Sequence, residues 1–260
     1  MGPDTHSVML HEIFSGIQGE GVLVGYRQIF VRFHGCNLHC AYCDTPASRG
    51  DAPASCAVER APGSRDLEQW PNPLSVTQIV DAIHILQAGY PQQTVSFTGG
   101  EPLLQRALLD ALLPRLHADG IRTLLETNGL LADALAALAV MPSYVAMDMK
   151  LPSTAGIAPQ WAQHAAFLAV AHARQAGGAA DALQVKLVFG EDSLADVAQA
   201  AALIAACDAT IPCVLQPVTP RPGGPASPCA ATVLEAQRRA AGLLAQVRVI
   251  PQTHVMLGQW

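Results

Sequence analysis

From Thr94 onward the chain alternates short β-branched and aromatic runs with longer helix-forming ones, and this alternation constrains its fold more than any other feature. Thr94 to Thr98 reads as a strand, followed by a helix from Leu103 to His117 that Pro114 is expected to kink. The same order repeats with a strand from Arg122 to Glu126 and a helix from Ala132 to Leu138, then Tyr144 to Met147 and a helix from near Gln160 to Arg174. Leu183 to Phe189 follows, with Ser193 capping a helix to Ala206. Cys213 to Val218 comes next, with Ser227 capping a last long helix whose first position is Pro228. Val247 to Ile250 closes the series. Upstream, Val8 to Phe14 and Arg27 to Phe33 read as strands, joined through a glycine-bearing loop from Ser15 to Gly21. Ser75-x-x-Gln78 forms a capping box for a helix to Gln87, which Gly89 stops. Strict alternation requires parallel strands with right-handed crossovers. Six such units are too few for a closed eight-stranded barrel, so the expected fold is α/β: a partial, open (β/α)6 barrel with its chemistry on the C-terminal rim. No internal repeat or second domain is visible, and 1–260 is expected to be one domain. Residues 48–73, rich in Pro, Gly, Ser and Asp, read as an inserted surface loop.

The strand Arg27 to Phe33 delivers His34-Gly-Cys-Asn-Leu-His-Cys-Ala-Tyr-Cys-Asp-Thr45, with thiols at Cys36, Cys40 and Cys43. Three thiolates from one loop can hold three corners of a cubane 4Fe–4S cluster. With no fourth cysteine in register, one iron is left open to a substrate, unlike the iron of an electron carrier held by four thiolates. Three other readings compete: a structural zinc site with His34 or His39 as fourth ligand, a disulfide with a spare thiol, and chance clustering among seven cysteines. Downstream, Gly99-Gly-Glu-Pro102 sits at a strand end, where an ordinary βα turn with a solvated Glu101 is the plain alternative. Cys56, Cys207, Cys213 and Cys229 show no ligand spacing. His84, His117, His164 and His172 fall on helices and read as ordinary helix residues.

Half of the residues are hydrophobic and only 14% are charged, which excludes a disordered chain. Much of the apolar share is alanine, and no run approaches the roughly 20 apolar residues of a membrane span. The N-terminus lacks a basic region followed by an apolar core, so no secretory signal is expected. Seven cysteines in such a chain point to a reducing cytoplasm, where a cluster survives and disulfides do not form. The formal charge of −6 favours neither nucleic acid nor an anionic membrane surface as a partner.

The Cys-x3-Cys-x2-Cys spacing, with an aromatic before the last thiol, resembles the signature of the radical S-adenosylmethionine (SAM) superfamily. Within it, the chain is similar over most of its length to the 7-carboxy-7-deazaguanine synthase family. The resemblance rests on Ile17-Gln-Gly-Glu-Gly21, on Arg32 four residues before Cys36, and on Cys43-Asp-Thr45. It is strengthened by Thr98-Gly-Gly-Glu-Pro102, Glu126-Thr-Asn-Gly129, Leu215-Gln-Pro217 and Pro251-Gln-Thr-His254. The resemblance implies a lyase that turns 6-carboxy-5,6,7,8-tetrahydropterin into 7-carboxy-7-deazaguanine and ammonia, on the way to queuosine and related 7-deazapurines. It implies a 4Fe–4S cluster on Cys36, Cys40 and Cys43, with SAM on the open iron, cleaved by one electron to a 5′-deoxyadenosyl radical. It also implies Mg2+ on Thr45.

By the same resemblance Ile17, Gln18, Gly19, Arg32 and Thr98 contact the pterin, Arg32 by a guanidinium fork on its carboxylate. The alternative for Arg32 is a surface ion pair. Gly100, Asp148, Met149, Lys150 and the segment Gln216, Pro217, Val218 and Thr219 line the SAM pocket. Short family members carry Ser-Pro-Lys where this chain has Asp148-Met-Lys150. Some end in a proline whose carboxylate reaches the substrate, where this chain ends in Trp260; if the tail folds over the barrel mouth, Trp260 also contacts the pterin. A homodimer and an electron donor such as flavodoxin or ferredoxin complete the implied partners. The competing functions are a radical SAM activase that installs a glycyl radical on a partner enzyme, and a non-catalytic cluster or zinc module.

Overall fold

The computed structural model describes residues 6–90, 93–175 and 182–258. Along the chain the strands are β1 (Ser7–Val8), β2 (Leu10–Ile17), β3 (Arg27–Phe33), β4 (Ser55–Glu59), β5 (Leu67–Pro71) and β6 (Leu74–Ser75). Helix α1 (Val76–Gln87) and β7 (Thr94–Gly99) follow, then α2 (Arg106–Ala118), β8 (Thr123–Thr127), α3 (Ala132–Ala136) and β9 (Tyr144–Asp148). The second half comprises α4 (Pro152–Ala155), α5 (Trp161–Gln175), β10 (Leu183–Phe189), α6 (Leu194–Asp208), β11 (Cys213–Pro217), α7 (Ala230–Ala241), β12 (Val247–Val249) and α8 (Thr253–Met256).

Ten of these strands form one open sheet in the order β12-β11-β10-β9-β8-β7-β3-β2-β4-β5. From β3 through β12 the neighbours are parallel, each reached by a helical crossover, so six β/α units end in a seventh parallel strand. This is the partial barrel that alternation demands. The helices pack one face on the sheet: α1 buries Val76, Ile79, Ala82, Ile83 and Leu86, and α2 buries Leu108, Leu109, Leu112, Leu113 and Leu116. The capping box that starts α1 is complete, with Ser75 Oγ accepting from the Gln78 amide and Gln78 Oε1 from the Ser75 amide. Helix α2 runs on through Pro114.

Departures from the sequence reading fall at the N-terminal edge and at the starts of two later helices. Strand β2 runs antiparallel to β3, because the short connection between them can close only a hairpin. It continues through Ile17, past the expected end at Phe14. Residues 48–73 are not an irregular loop. They contain the antiparallel hairpin β4–β5, which adds to the sheet through a parallel pairing of β4 with β2. Cys56 and Val58 point inward and are buried, so the hairpin carries its own apolar face, too short for a clear period of two. The buried Glu59 locks it down, accepting from the amides of Ser15 and Arg65, each at 2.8 Å. Helix α7 begins at Ala230 instead of just after Ser227, whose hydroxyl turns to the Val218 carbonyl. Glu191, distant in sequence, caps α7 instead, accepting from the Cys229 amide and the Thr232 hydroxyl. Ser193 stands at the start of α6, where its carbonyl accepts from the Val197 amide at 2.9 Å but its side chain makes no cap bond; its hydroxyl accepts from the Gly190 amide at 3.0 Å.

Candidate active site

The period of two along a strand sends alternate side chains to opposite faces. In β10, Leu183, Val185, Leu187 and Phe189 enter the core, while Gln184, Lys186 and Val188 face a cavity of about 750 Å³ inside the barrel. In β9 and its extension, Val145, Met147 and Met149 are core, while Ala146, Asp148 and Lys150 face the cavity. The same rule places Gln216 and Val218 on the cavity and leaves Pro217 off it. Met149 and Pro217, expected to line the SAM pocket, therefore turn their side chains away: Met149 is wholly buried among core residues, since it alternates with two that face inward. Thr219 lines the cavity with Val218. Trp260 lies outside the described residues.

One wall is the cysteine loop. Cys36, Cys40 and Cys43 all line the cavity, all are free, and Cys40 is buried. Burial pushes the thiols of Cys36 and Cys40 above the ordinary range, so without metal they are protonated and binding must displace their protons. Backbone bonds hold the loop: Gly35 N–H donates to Ser48 O at 2.8 Å and Ala41 N–H to Ala155 O at 2.8 Å. Gly99-Gly-Glu-Pro102 presses against it from β7. Gly100 N–H donates to Phe33 O at 3.0 Å and Glu101 N–H to Gly35 O at 2.8 Å. A Cβ on Gly100 would stand 1.8 Å from Gly35 O, and Gly99 has φ 109° with Phe33 backbone 2.6 Å from any added Cβ. Both glycines are therefore required for this contact, whatever they also offer a ligand. Glu101 is not a solvated turn residue. It is fully buried, which raises its carboxyl, and it accepts from Thr127 Oγ1 and from the amides of Leu103 and Asn128.

The donor set fits a cubane and not a zinc ion. Among the described residues, the metal-capable sets with ligand atoms all within 4.8 Å of one another are represented by Glu20, Asp44 and His254. The cysteine sulfurs form no such set, whereas thiolates around one tetrahedral zinc lie closer together than that. Neither histidine joins them: His34 Nδ1 lies 3.1 Å from His11 Nε2, and His39 is exposed. Buried polar atoms without a protein partner at Tyr42 (hydroxyl), Asp148 (Oδ1) and Gln216 (Oε1), all on cavity residues, fit a polar ligand beside the thiols.

The opposite wall is polar. Glu126 accepts from Gln18, Ser96 and Thr98, each at 2.8 Å, which fixes three side chains around one carboxylate. Ile17 and Gly19 line the same wall. Arg32 is there too, its Nε donating to Glu12 Oε1 at 2.5 Å; this ion pair is internal, with the two side chains 17% and 23% exposed. Thr45 faces the cavity with its hydroxyl 3.9 Å from Cys43 Sγ. An ionic chain joins the walls. Lys150 reaches Asp148 at 2.7 Å, Asp148 reaches Lys186 at 3.2 Å, and Lys186 bonds Glu20. Burial alone would raise the carboxyl of Asp148, but Lys150 and Lys186 hold it below its ordinary value; Lys186 and Gln252 do the same for Glu20.

The C-terminal tail crosses the mouth. Thr253 N–H donates to Gly19 O at 3.0 Å, and a Cβ on Gly19 would meet His254 Nδ1 at 2.1 Å. Gln252 donates to Glu20 and Asp44 and accepts from Thr219 Oγ1. The residues that sequence reasoning left without a role here are Glu20, Glu126, Gln184, Lys186 and Gln252. Lys186 had a readable signal: with Gln184 it alternates polar into an otherwise apolar strand.

A barrel of parallel strands with three free thiols in the loop after its first strand is the construction of a radical SAM enzyme, and the radical SAM superfamily model matches residues 30–155. A 7-carboxy-7-deazaguanine synthase from Geobacter sulfurreducens is 41% identical over 96% of this chain and 97% of its own, and one from Methanopyrus kandleri is 42% identical over 58% of this chain and 60% of its own. The chain belongs to the 7-carboxy-7-deazaguanine synthase family. The crystal structure of QueE from Escherichia coli superposes with a TM-score of 0.62 at 22% identity, covering 95% of this chain and 94% of that one, and shows the same fold.

Proposed function

We propose that the chain converts 6-carboxy-5,6,7,8-tetrahydropterin to 7-carboxy-7-deazaguanine with loss of ammonia, as a radical SAM lyase of 7-deazapurine (queuosine) biosynthesis. The observation that carries this reading is the meeting, in one cavity, of three free thiols and a wall of carboxylate- and amide-binding side chains. Cys36, Cys40 and Cys43 would hold the cluster; with SAM bound, that centre supplies a 5′-deoxyadenosyl radical for hydrogen abstraction. Lys150, Asp148, Gln216, Val218 and Thr219 would bound the SAM side, with Gly100 beneath the cysteine loop.

Arg32 serves the substrate carboxylate, its orientation set by Glu12. Gln18 and Thr98 are held in place by Glu126; with both Gln18 amide hydrogens and the Thr98 hydroxyl hydrogen already engaged, they offer the pterin ring acceptor oxygens. Ile17 gives the ring an apolar contact, and Gly19 lets the tail close over it. Water is kept out by the tail residues Gln252, His254 and Val255, which line the mouth. Thr45 offers one hard oxygen to Mg2+, an ion that keeps several waters and prefers oxygen. Asp44 and His254 stand nearby, whereas both oxygens of Glu20 are engaged by Lys186 and Gln252. By resemblance to the family we extend the reading to a cytoplasmic homodimer reduced by a flavodoxin or ferredoxin. A glycyl-radical activase would need a protein-docking groove, and the polar wall around Glu126 does not suit that task.

The test is anaerobic incubation of reconstituted, reduced protein with SAM, Mg2+ and carboxytetrahydropterin. 7-Carboxy-7-deazaguanine and one equivalent of ammonia are expected. SAM cleavage without either product would overturn the reading.

A further inference from the structure

Resting on the reading above, the ionic chain across the cavity has a property that neither ligand site has alone. Glu20 comes from the β2–β3 connection, on the side assigned to the pterin. Asp148 and Lys150 come from the end of β9, on the side assigned to SAM. Among the described residues Lys186, from the middle of β10, is the one that touches both: its ammonium bonds Glu20 and lies 3.2 Å from Asp148. The four side chains are 13% to 18% exposed, so the pairings are poorly screened. Among the described residues Glu20 pairs with the Lys186 ammonium alone, whereas Asp148 also keeps Lys150 at 2.7 Å.

An ammonium shared between two acids is a single point charge with a divided allegiance. Drawing Glu20 toward a ligand leaves more of the charge to Asp148, and fixing Asp148 and Lys150 against a ligand stiffens the lysine under Glu20. The unpartnered Asp148 Oδ1 gives a ligand on that side a direct hold on the chain. Gln252 ties the same Glu20 to the tail over the mouth and to Thr219 on the SAM side, so the arrangement reaches the lid as well.

We infer that Lys186 is a positioning residue that couples the two ligand sites, so that occupancy of the SAM side and occupancy of the pterin side raise each other's affinity through the Glu20–Lys186–Asp148 bridge. The coupling is reciprocal, as any linkage of two binding equilibria must be. Lysine suits this task because its three donors around one charge can serve two acceptors at once.

The experiment measures SAM affinity by equilibrium dialysis on the reconstituted enzyme, with and without carboxytetrahydropterin, and separately the pterin KM. In the unaltered enzyme, saturating pterin should tighten SAM by about five- to tenfold. Glu20→Gln keeps the shape but removes the charge that competes for Lys186, leaving the ammonium to Asp148 as bound pterin would, and should tighten SAM binding in the absence of pterin although Glu20 belongs to the other side. Lys186→Met should abolish the coupling, and Lys186→Arg should restore part of it. Tm and iron content, measured alongside, separate this from misfolding; if Lys186→Met fails to fold, Glu20→Gln and Lys186→Arg decide. Equal SAM affinity with and without pterin in the unaltered enzyme, or unaltered SAM affinity in Glu20→Gln, would overturn the coupling while leaving the proposed reaction standing. Failure to form the deazaguanine in the unaltered enzyme would instead strike the reaction.

Discussion

The cysteine wall of the cavity is set by backbone contacts through Gly35, Gly99 and Gly100, whereas the facing wall is set by side chains, with Glu126, Arg32, Glu20 and Lys186 held by hydrogen bonds and ion pairs. The first has almost no free volume and little charge. The second is full of charge and built from long side chains that can shift. One wall is therefore sensitive to added atoms, the other to removed charges, and the two should fail in different ways.

The largest expected effect is on the thiols. Cys36→Ala, Cys40→Ala or Cys43→Ala should each bring bound iron and product formation to background, because three thiolates are the fewest that keep the cluster. Iron and sulfide analysis after anaerobic reconstitution checks this, and a variant that keeps a full cluster would break the assignment of that wall.

Acid should expose the junction between the walls. His164, on α5, is fully buried with Nε2 3.2 Å from Asn128 O, and burial depresses its pKa to about 4. The unfolded chain takes up a proton on this imidazole near its ordinary pKa of about 6.5 and the folded chain resists until about 4, so stability present above 6.5 is lost as pH falls through that window. At 1.36 kcal/mol per unit the loss is about 3 kcal/mol. Chemical denaturation of the cluster-free chain at pH 7 and pH 4 should show it, and His164→Gln should flatten that part of the profile.

On the polar wall, Arg32→Ala should raise the pterin KM roughly ten- to a hundredfold, since a charged hydrogen bond is worth about 1.5–3 kcal/mol. The iron content should not change. An unaltered KM would move the substrate carboxylate elsewhere and reduce Arg32 to its pairing with Glu12.

Gly100→Ala tests the backbone wall. With Gly35 O in the way, the two loops must part, at about 1–3 kcal/mol, and cluster incorporation should fall with the Tm. A Tm within error of the parent would show that the glycine contact is looser than it stands here.

The smallest effect belongs to Cys56, which is buried in the inserted hairpin away from the cavity. Cys56→Ala should cost about 1 kcal/mol of stability through the small void left behind, with full iron and activity. Loss of the cluster in this variant would mean that a fourth thiol takes part.

Much of this was legible before any coordinates. The six β/α units, the capping box at Ser75 and the cysteine loop after β3 are local patterns in which period and spacing carry the information. The inserted hairpin was not, because β4 and β5 are too short to show a period and gain their stability from pairing with β2. Met149 and Pro217 show the limit of assigning whole segments: a strand end offers a ligand only every second side chain. The cap of α7 was misplaced for a related reason, since Glu191 reaches it from 38 residues away.

By itself the sequence determined the order of strands and helices, the three thiols of the cysteine loop and the glycines that let that loop close, because each depends on neighbours within a few residues. Only the tertiary structure decided which charges meet. Lys186 and Glu20 stand 166 residues apart, and the tail contact of Thr253 with Gly19 spans 234. Coulomb attraction and packing act on distance in space, and no spacing in the chain encodes that distance until the sheet brings the strand ends together.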